Sequence, residues 1–74
     1  MWDERDIRLR LSEYRAKATG KDPFGPWTDL NDFYAQLPTE EERAILLAVL
    51  KEKQADSFWK DFIKLFLDEK GLKL

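Results

Sequence analysis

The sequence predicts an all-α domain, a small four-helix bundle with a short second helix and no sheet. Apolar residues recur at spacings of three and four, which is typical of amphipathic helices. Three glycines and three prolines are the main breaks between these periodic segments. With 74 residues and no cysteine, the chain is long enough for a single domain, residues 1–74, that cannot rely on disulfides.

The first helix is predicted over about residues 3–18, with Gly20 as its stop. Its apolar stripe consists of Ile7, Leu11, Tyr14 and Ala18. Residues 19–27 read Thr-Gly-Lys-Asp-Pro-Phe-Gly-Pro-Trp. Two prolines and two glycines oppose a helix there, so this segment is predicted to be a loop.

The second helix is predicted over about residues 28–37, with Thr28 as its N-cap. One apolar face is formed by Leu30, Phe33, Tyr34 and Leu37. Pro38 should end this helix, because a proline disfavours the helical conformation in the residue before it.

The third helix is predicted over about residues 40–54. Thr39 and Glu42 have the spacing of a capping box, which marks its start. Residues 44–50 are all apolar and point in every direction around a helix axis. Because such a helix is normally buried on all sides, we expect it to be the centre of the domain.

The fourth helix is predicted over about residues 57–70, capped by Asp56 or Ser57 and ended by Gly71. Its apolar side spans an arc of roughly 200°, wider than the stripe of an ordinary surface helix. The arc contains Phe58, Trp59, Phe62, Ile63, Leu65, Phe66 and Leu67. Since residues 51–57 include neither glycine nor proline, one continuous helix over 40–70 stays open as an alternative.

The wide arc allows three interpretations. Other helices of the same chain cover it, a second copy or another protein packs on it, or it lies on a membrane surface. The residues we assign to partner contact are Trp59, Ile63, Phe66 and Leu67.

Charge is unevenly distributed along the chain. Residues 22–42 contain six acids and no base, whereas the segments 1–21 and 43–74 each have a net charge of +2. This pattern indicates an acidic surface that binds a basic partner. The residues assigned to it are Asp22, Asp29, Asp32, Glu40 and Glu41. The alternative is that most of these acids only occupy helix N-termini, where negative charge is favoured.

Composition argues against several kinds of chemistry. The chain has no histidine and no cysteine, so imidazole bases, thiol nucleophiles and the usual zinc ligands are missing. We therefore expect no enzymatic activity, no cofactor and no metal. Nucleic-acid binding by the basic side of the first helix is an alternative, carried by Arg5, Arg8 and Arg15, but the net charge of −2 argues against it.

The function that these observations predict is a non-enzymatic protein-interaction module, a small adaptor or inhibitor. Such a chain is typical of bacterial or phage regulators in size, and a homodimer is one expected assembly. The start, Met-Trp-Asp-Glu-Arg-Asp, lacks the basic and apolar regions of a secretory signal. Together with the absence of cysteine, this leads us to expect a cytoplasmic protein.

Overall fold

The computed structural model describes all 74 residues and contains four helices and no strand. The helices are α1 (Glu4–Lys17), α2 (Gly25–Gln36), α3 (Glu40–Lys53) and α4 (Lys60–Lys70). The α1 helix packs mainly against α3, α2 packs against α4, and α1 also contacts α2. The predicted all-α bundle is therefore confirmed.

One hydrophobic core joins the four helices. Each helix contributes two or more fully buried side chains, and Trp59, just before α4, is the largest of them. The core residues are Ile7, Leu11, Tyr14, Leu30, Phe33, Leu37, Leu46, Val49, Leu50, Trp59, Ile63, Phe66 and Leu67. Burying a large apolar side chain contributes roughly 1.5–3 kcal/mol, so these residues account for most of the stabilisation that so short a chain has available.

Two helix ends follow the predicted signals, at Thr39 and Gly71, and a third is capped by Asp3, which was not predicted as a cap. The Asp3 carboxylate accepts the backbone N–H of Asp6 at 2.8 Å at the start of α1. Thr39 Oγ1 accepts the N–H of Glu42 at 3.2 Å and begins α3 as expected. Gly71 ends α4 in the left-handed region, with a φ of 66°. This conformation favours glycine because it has no Cβ.

The start of α2 was predicted wrongly. The helix begins at Gly25 instead of residue 28, and Thr28 lies inside it, with its N–H donating to the Phe24 carbonyl at 2.9 Å. Pro26 is tolerated because it lies in the first turn, where a backbone N–H has no helical partner anyway. Pro26 is also buried, so the helix start is held by packing.

The connection between the third and fourth helices is now defined. The α3 helix ends at Lys53, and turns over residues 54–59 separate it from α4, so one continuous helix is excluded. The α4 helix starts at Lys60, three residues later than predicted, and neither Asp56 nor Ser57 is its N-cap. Asp56 instead stabilises the turn, because its Oδ1 accepts the N–H of Phe58 at 2.8 Å.

The α3 helix is not buried on all sides, and that expectation was wrong. Leu46, Val49 and Leu50 face the core, but Ala44 and Ala48 are exposed. The reason is that α3 packs chiefly on one neighbour, α1, so that only one side of it meets the core. The apolar area left in water is modest because alanine side chains are small.

Candidate functional site

The four apolar residues assigned to partner contact lie inside the single chain. Ile63 and Phe66 are fully buried, and only 1% of Trp59 and 8% of Leu67 is accessible to solvent. They pack against the other helices of the same chain, which is the first of the three interpretations of the wide arc. No docking surface can be built from these four residues in this fold.

Two other aromatics of the same arc do reach the surface. Phe58 and Phe62 are half-buried, and their ring centroids lie 5.5 Å apart. Arg15 lies over the Phe58 ring, with its guanidinium carbon 4.9 Å from the centroid. At the surface, the apolar side of the C-terminal segment is therefore represented by this pair of rings and by the exposed Leu65.

The turn before α4 fixes the position of Phe58. Asp56 accepts the Phe58 N–H on one carboxylate oxygen and pairs with Arg15 through the other, at 2.9 Å. The Phe58 N–H, aided by the Arg15 guanidinium, holds the pKa of Asp56 below its ordinary value. The carboxylate therefore stays ionised in neutral solution and keeps the turn in place.

Phe58 and Phe62 form one wall of a surface groove of about 630 Å³. The opposite wall is formed by the segment between α1 and α2, including Ala18 and Pro23, and by Pro26 in the first turn of α2. Asp22 and Asp61 stand in the lining of this groove, and neither forms an ion pair. We call this site the acidic aromatic groove.

Local hydrogen bonds shape the wall opposite the aromatic rings. Asp22 Oδ1 accepts the N–H of Phe24 at 3.1 Å, and the Asp22 carbonyl accepts the N–H of Gly25 at 3.3 Å. Bonds of this kind are how aspartate stabilises turns. A Cβ at position 25 would lie 3.3 Å from Asp22 Oδ2, so glycine lets the Asp22 carboxylate approach the start of α2 closely.

The structure brings only part of the acidic segment together. Asp22 and Asp29 line a smaller groove of about 220 Å³, which shares Ala18 and Pro26 with the acidic aromatic groove. Asp29 pairs there with Lys17 at 3.3 Å. These two acids therefore belong to one continuous region beside the α1–α2 connection.

The remaining acids of that prediction lie elsewhere. Asp32 is exposed on α2 and lines neither groove, while Glu40 and Glu41 are exposed in the first turn of α3. The 12 residues of α2 span roughly 18 Å, which separates Asp22 from the start of α3. The structure therefore brings Asp22 and Asp29 together but places Asp32, Glu40 and Glu41 apart from them, because the chain distributes these acids along α2 and over both of its ends.

The basic side of α1 is largely neutralised by acids. Arg8 pairs with Glu52 at 2.7 Å and also contacts Glu4, Arg10 pairs with Glu13, and Arg15 pairs with Asp56. Arg5 is the one arginine of α1 without an acid partner. A nucleic-acid phosphate that binds this side of α1 would have to displace these carboxylates from the arginines.

Sequence reasoning missed the role of Asp61 and Phe62 in the candidate site. Part of the signal was present, because Asp61 borders the apolar arc of α4 and Phe62 belongs to that arc. The position of Pro23 against them could not be read from the sequence, since it depends on how α1, α2 and α4 pack. No group of three or more acidic residues is arranged to hold a metal ion.

The fold defines the class of this protein as a small all-α four-helix domain. No protein-family model, curated protein or solved structure matches the chain. None of its helices combines the length and the apolar character needed to cross a membrane.

Proposed function

We propose that the chain is a non-enzymatic protein-interaction module, an adaptor or inhibitor that binds a basic segment of a partner protein in the acidic aromatic groove. The observation that carries this proposal is the placement of two half-buried phenylalanine rings beside two carboxylates that lack a cationic partner. Lysine and arginine combine a positive head with an apolar stem, so they complement both features.

The contrast with the five acids that are paired within the chain supports this choice, and lining a groove together with Phe58 and Phe62 distinguishes Asp22 and Asp61 from the other unpaired acids. Glu4, Glu13, Glu52, Asp29 and Asp56 each pair with a base of the same chain. Asp22 and Asp61 leave their charge unpaired in a concave site, where a cation from outside can be held by both charge and aromatic contact. The absence of cysteine leads us to include a cytoplasmic setting in this proposal.

The test uses a basic peptide, acetyl-Lys-Leu-Lys-Leu-Lys-amide, added to the ¹⁵N-labelled chain. The backbone amide resonances of residues 18–24 and 57–62 should shift and saturate. The double variant Asp22→Asn, Asp61→Asn should weaken binding about fivefold or more at low salt, and the difference should shrink as salt screens the charges. Both substitutions preserve side-chain size.

Asp32→Asn is the matched control, because Asp32 is an exposed acid outside the groove. It should bind the basic peptide as the parent chain does. Equal weakening by Asp32→Asn, or shifts spread over the whole surface, would show that only net charge attracts the peptide and would contradict the proposal.

A further inference from the structure

Near the C-terminal end of α2, two cations contact the same aromatic ring. The guanidinium carbon of Arg43 lies 5.4 Å from the Tyr34 ring centroid, and Lys70 Nζ lies 5.2 Å from the same centroid. The Tyr34 ring in turn packs edge-on against buried Phe66, with centroids 5.5 Å apart. Tyr34 is therefore held by the core, and its ring contacts one cation from α3 and one from α4.

Arg43 differs from most arginines of this chain. Arg8, Arg10 and Arg15 each have a carboxylate partner, whereas Arg43 has none, and Lys70 has none either. The Arg43 Nε atom is also out of solvent and has no hydrogen-bond acceptor. A buried donor without an acceptor is unfavourable, so the site holds a charged group whose hydrogen-bonding capacity the chain itself does not use.

A groove of about 300 Å³ lies beside these groups. Tyr34 and Arg43 line it together with the apolar side chains Ala44, Leu47 and Leu72. Glu40 is the one acid in the lining, and no ion pair connects it to Arg43 or Lys70. The groove thus combines an apolar floor with unpaired positive charge, the reverse of the acidic aromatic groove.

We propose that this groove binds an acidic peptide segment of a partner protein. A carboxylate of the segment pairs with Arg43 and Lys70, and an adjacent aliphatic side chain packs on Leu47. Charge complementarity favours this occupant, because neither Arg43 nor Lys70 has a carboxylate partner within the chain, and arginine suits planar carboxylates well. The proposal does not depend on the acidic aromatic groove, which lies at the opposite end of α2.

The test uses acetyl-Leu-Glu-Leu-Glu-Leu-amide, with the glutamine peptide acetyl-Leu-Gln-Leu-Gln-Leu-amide as its uncharged counterpart. In ¹⁵N titrations at low salt, the glutamate peptide should shift the amides around Tyr34, Leu47 and Leu72. It should leave residues 18–24 unmoved. The glutamine peptide should bind about fivefold or more weakly, since it lacks the charges that pair with the two cations.

Two variants remove the cations one at a time. Lys70 is exposed, so Lys70→Gln should keep the fold and weaken the glutamate peptide, and Arg43→Gln should weaken it further. Arg5→Gln is the control, because Arg5 is exposed on α1 and also lacks an acid partner. Glu40→Gln should strengthen binding, because it removes the acid that repels the peptide.

Three results would overturn the proposal. The first is that the glutamine peptide binds as tightly as the glutamate peptide. The second is that Lys70→Gln and Arg5→Gln weaken binding of the glutamate peptide equally. The third is that the resonance shifts appear at residues 18–24 instead. If the chain self-associates and Lys70→Gln abolishes this self-association, the occupant of the groove is a second copy of the chain. This result would also overturn the proposal.

Discussion

Glu42 is the only charged residue buried in this protein, with 1% of its surface exposed. Its Oε2 accepts the backbone N–H of Trp2 at 2.7 Å, and its Oε1 accepts the hydroxyl of Thr39 at 2.7 Å. The predicted capping box at the start of α3 is therefore formed in a modified way. The carboxylate reaches back to the Thr39 hydroxyl and at the same time holds the N-terminal segment.

The hydrogen bonds at Glu42 predict a pH dependence of stability. The Trp2 N–H and the Thr39 hydroxyl lower the pKa of Glu42 from its ordinary value of 4.5. The unfolded chain therefore binds a proton more readily than the folded chain, so this contribution is fully present above pH 4.5 and is lost as the pH falls through the folded pKa.

We expect Glu42→Gln to lower the free energy of unfolding at pH 7, because an amide cannot accept both hydrogen bonds without turning its NH₂ group toward a donor. The difference from the parent chain should shrink as the pH falls below 4.5 in urea unfolding curves. Glu41→Gln, at an exposed neighbour, should show little difference at any pH. A constant gap between Glu42→Gln and the parent chain would contradict the assigned pKa direction.

Gly71 gives a second prediction at this scale. Nothing obstructs a Cβ at Gly71 or at Gly20, but only Gly71 has a positive φ. Gly71→Ala should therefore cost about 1 kcal/mol, whereas Gly20→Ala should be neutral or slightly stabilising. Because neither added Cβ meets another atom, a lower melting temperature for Gly71→Ala than for Gly20→Ala in thermal unfolding measures backbone strain alone. Equal melting temperatures would show that the left-handed conformation at the end of α4 does not depend on glycine.

At the scale of elements, local signals predicted helix ends well where a side chain caps them or a glycine terminates them. Thr39 and Gly71 act within a few residues of the ends that they define, so the sequence contains the whole signal. The start of α2 could not be predicted in this way. Pro26 is compatible with either a loop or a first helical turn, and its burial against the bundle, a tertiary contact, selects the turn.

The same limit applies to the candidate site. The apolar periodicity of α4 identifies which residues leave water, but it cannot distinguish a core from a partner surface. Trp59 and Leu67 were assigned to a partner because the arc was wide, yet the other helices cover them. The grooves depend on where the α1–α2 connection and the end of α4 lie, which is set by helix packing.

The α3 helix provides a test of which side faces the core. Leu46 is fully buried and its neighbour Leu47 is only half-buried. Leu46→Ala should lower the free energy of unfolding by about 2–5 kcal/mol, and Leu47→Ala by about 1 kcal/mol or less. Urea unfolding at two protein concentrations measures both. A loss at Leu47 as large as that at Leu46, dependent on concentration, would show that a second copy buries this side.

For the whole molecule, the burial of the wide arc bears on assembly. The residues that made a homodimer an expected assembly are part of the core, and the apolar side chains left on the surface are scattered or half-buried. We therefore expect a monomer of 8.8 kDa by light scattering across a hundredfold dilution. A dimer in the micromolar range would contradict this, and Leu47→Asp would then show whether the exposed side of α3 forms its interface.

Two ion pairs connect α1 to the C-terminal end of α3 and to the turn that follows it. Arg8 and Arg15 of α1 reach Glu52 and Asp56, more than 40 residues away in sequence. Both pairs are partly exposed, and such pairs contribute only ~0–1 kcal/mol each. They orient α1 over the end of α3, while burial of the apolar core supplies the main stabilisation.

The three tryptophans occupy three different environments, and this gives the molecule its own optical probes. Trp59 lies in the core, Trp2 packs against Phe33 beside the Glu42 carboxylate, and Trp27 lies in the first turn of α2. Replacing any two of them with phenylalanine leaves a chain whose intrinsic fluorescence reports a single place. Acrylamide quenching of such variants would follow the unfolding of the core, the release of the N-terminal segment and the opening of α2 as separate events, without any attached dye.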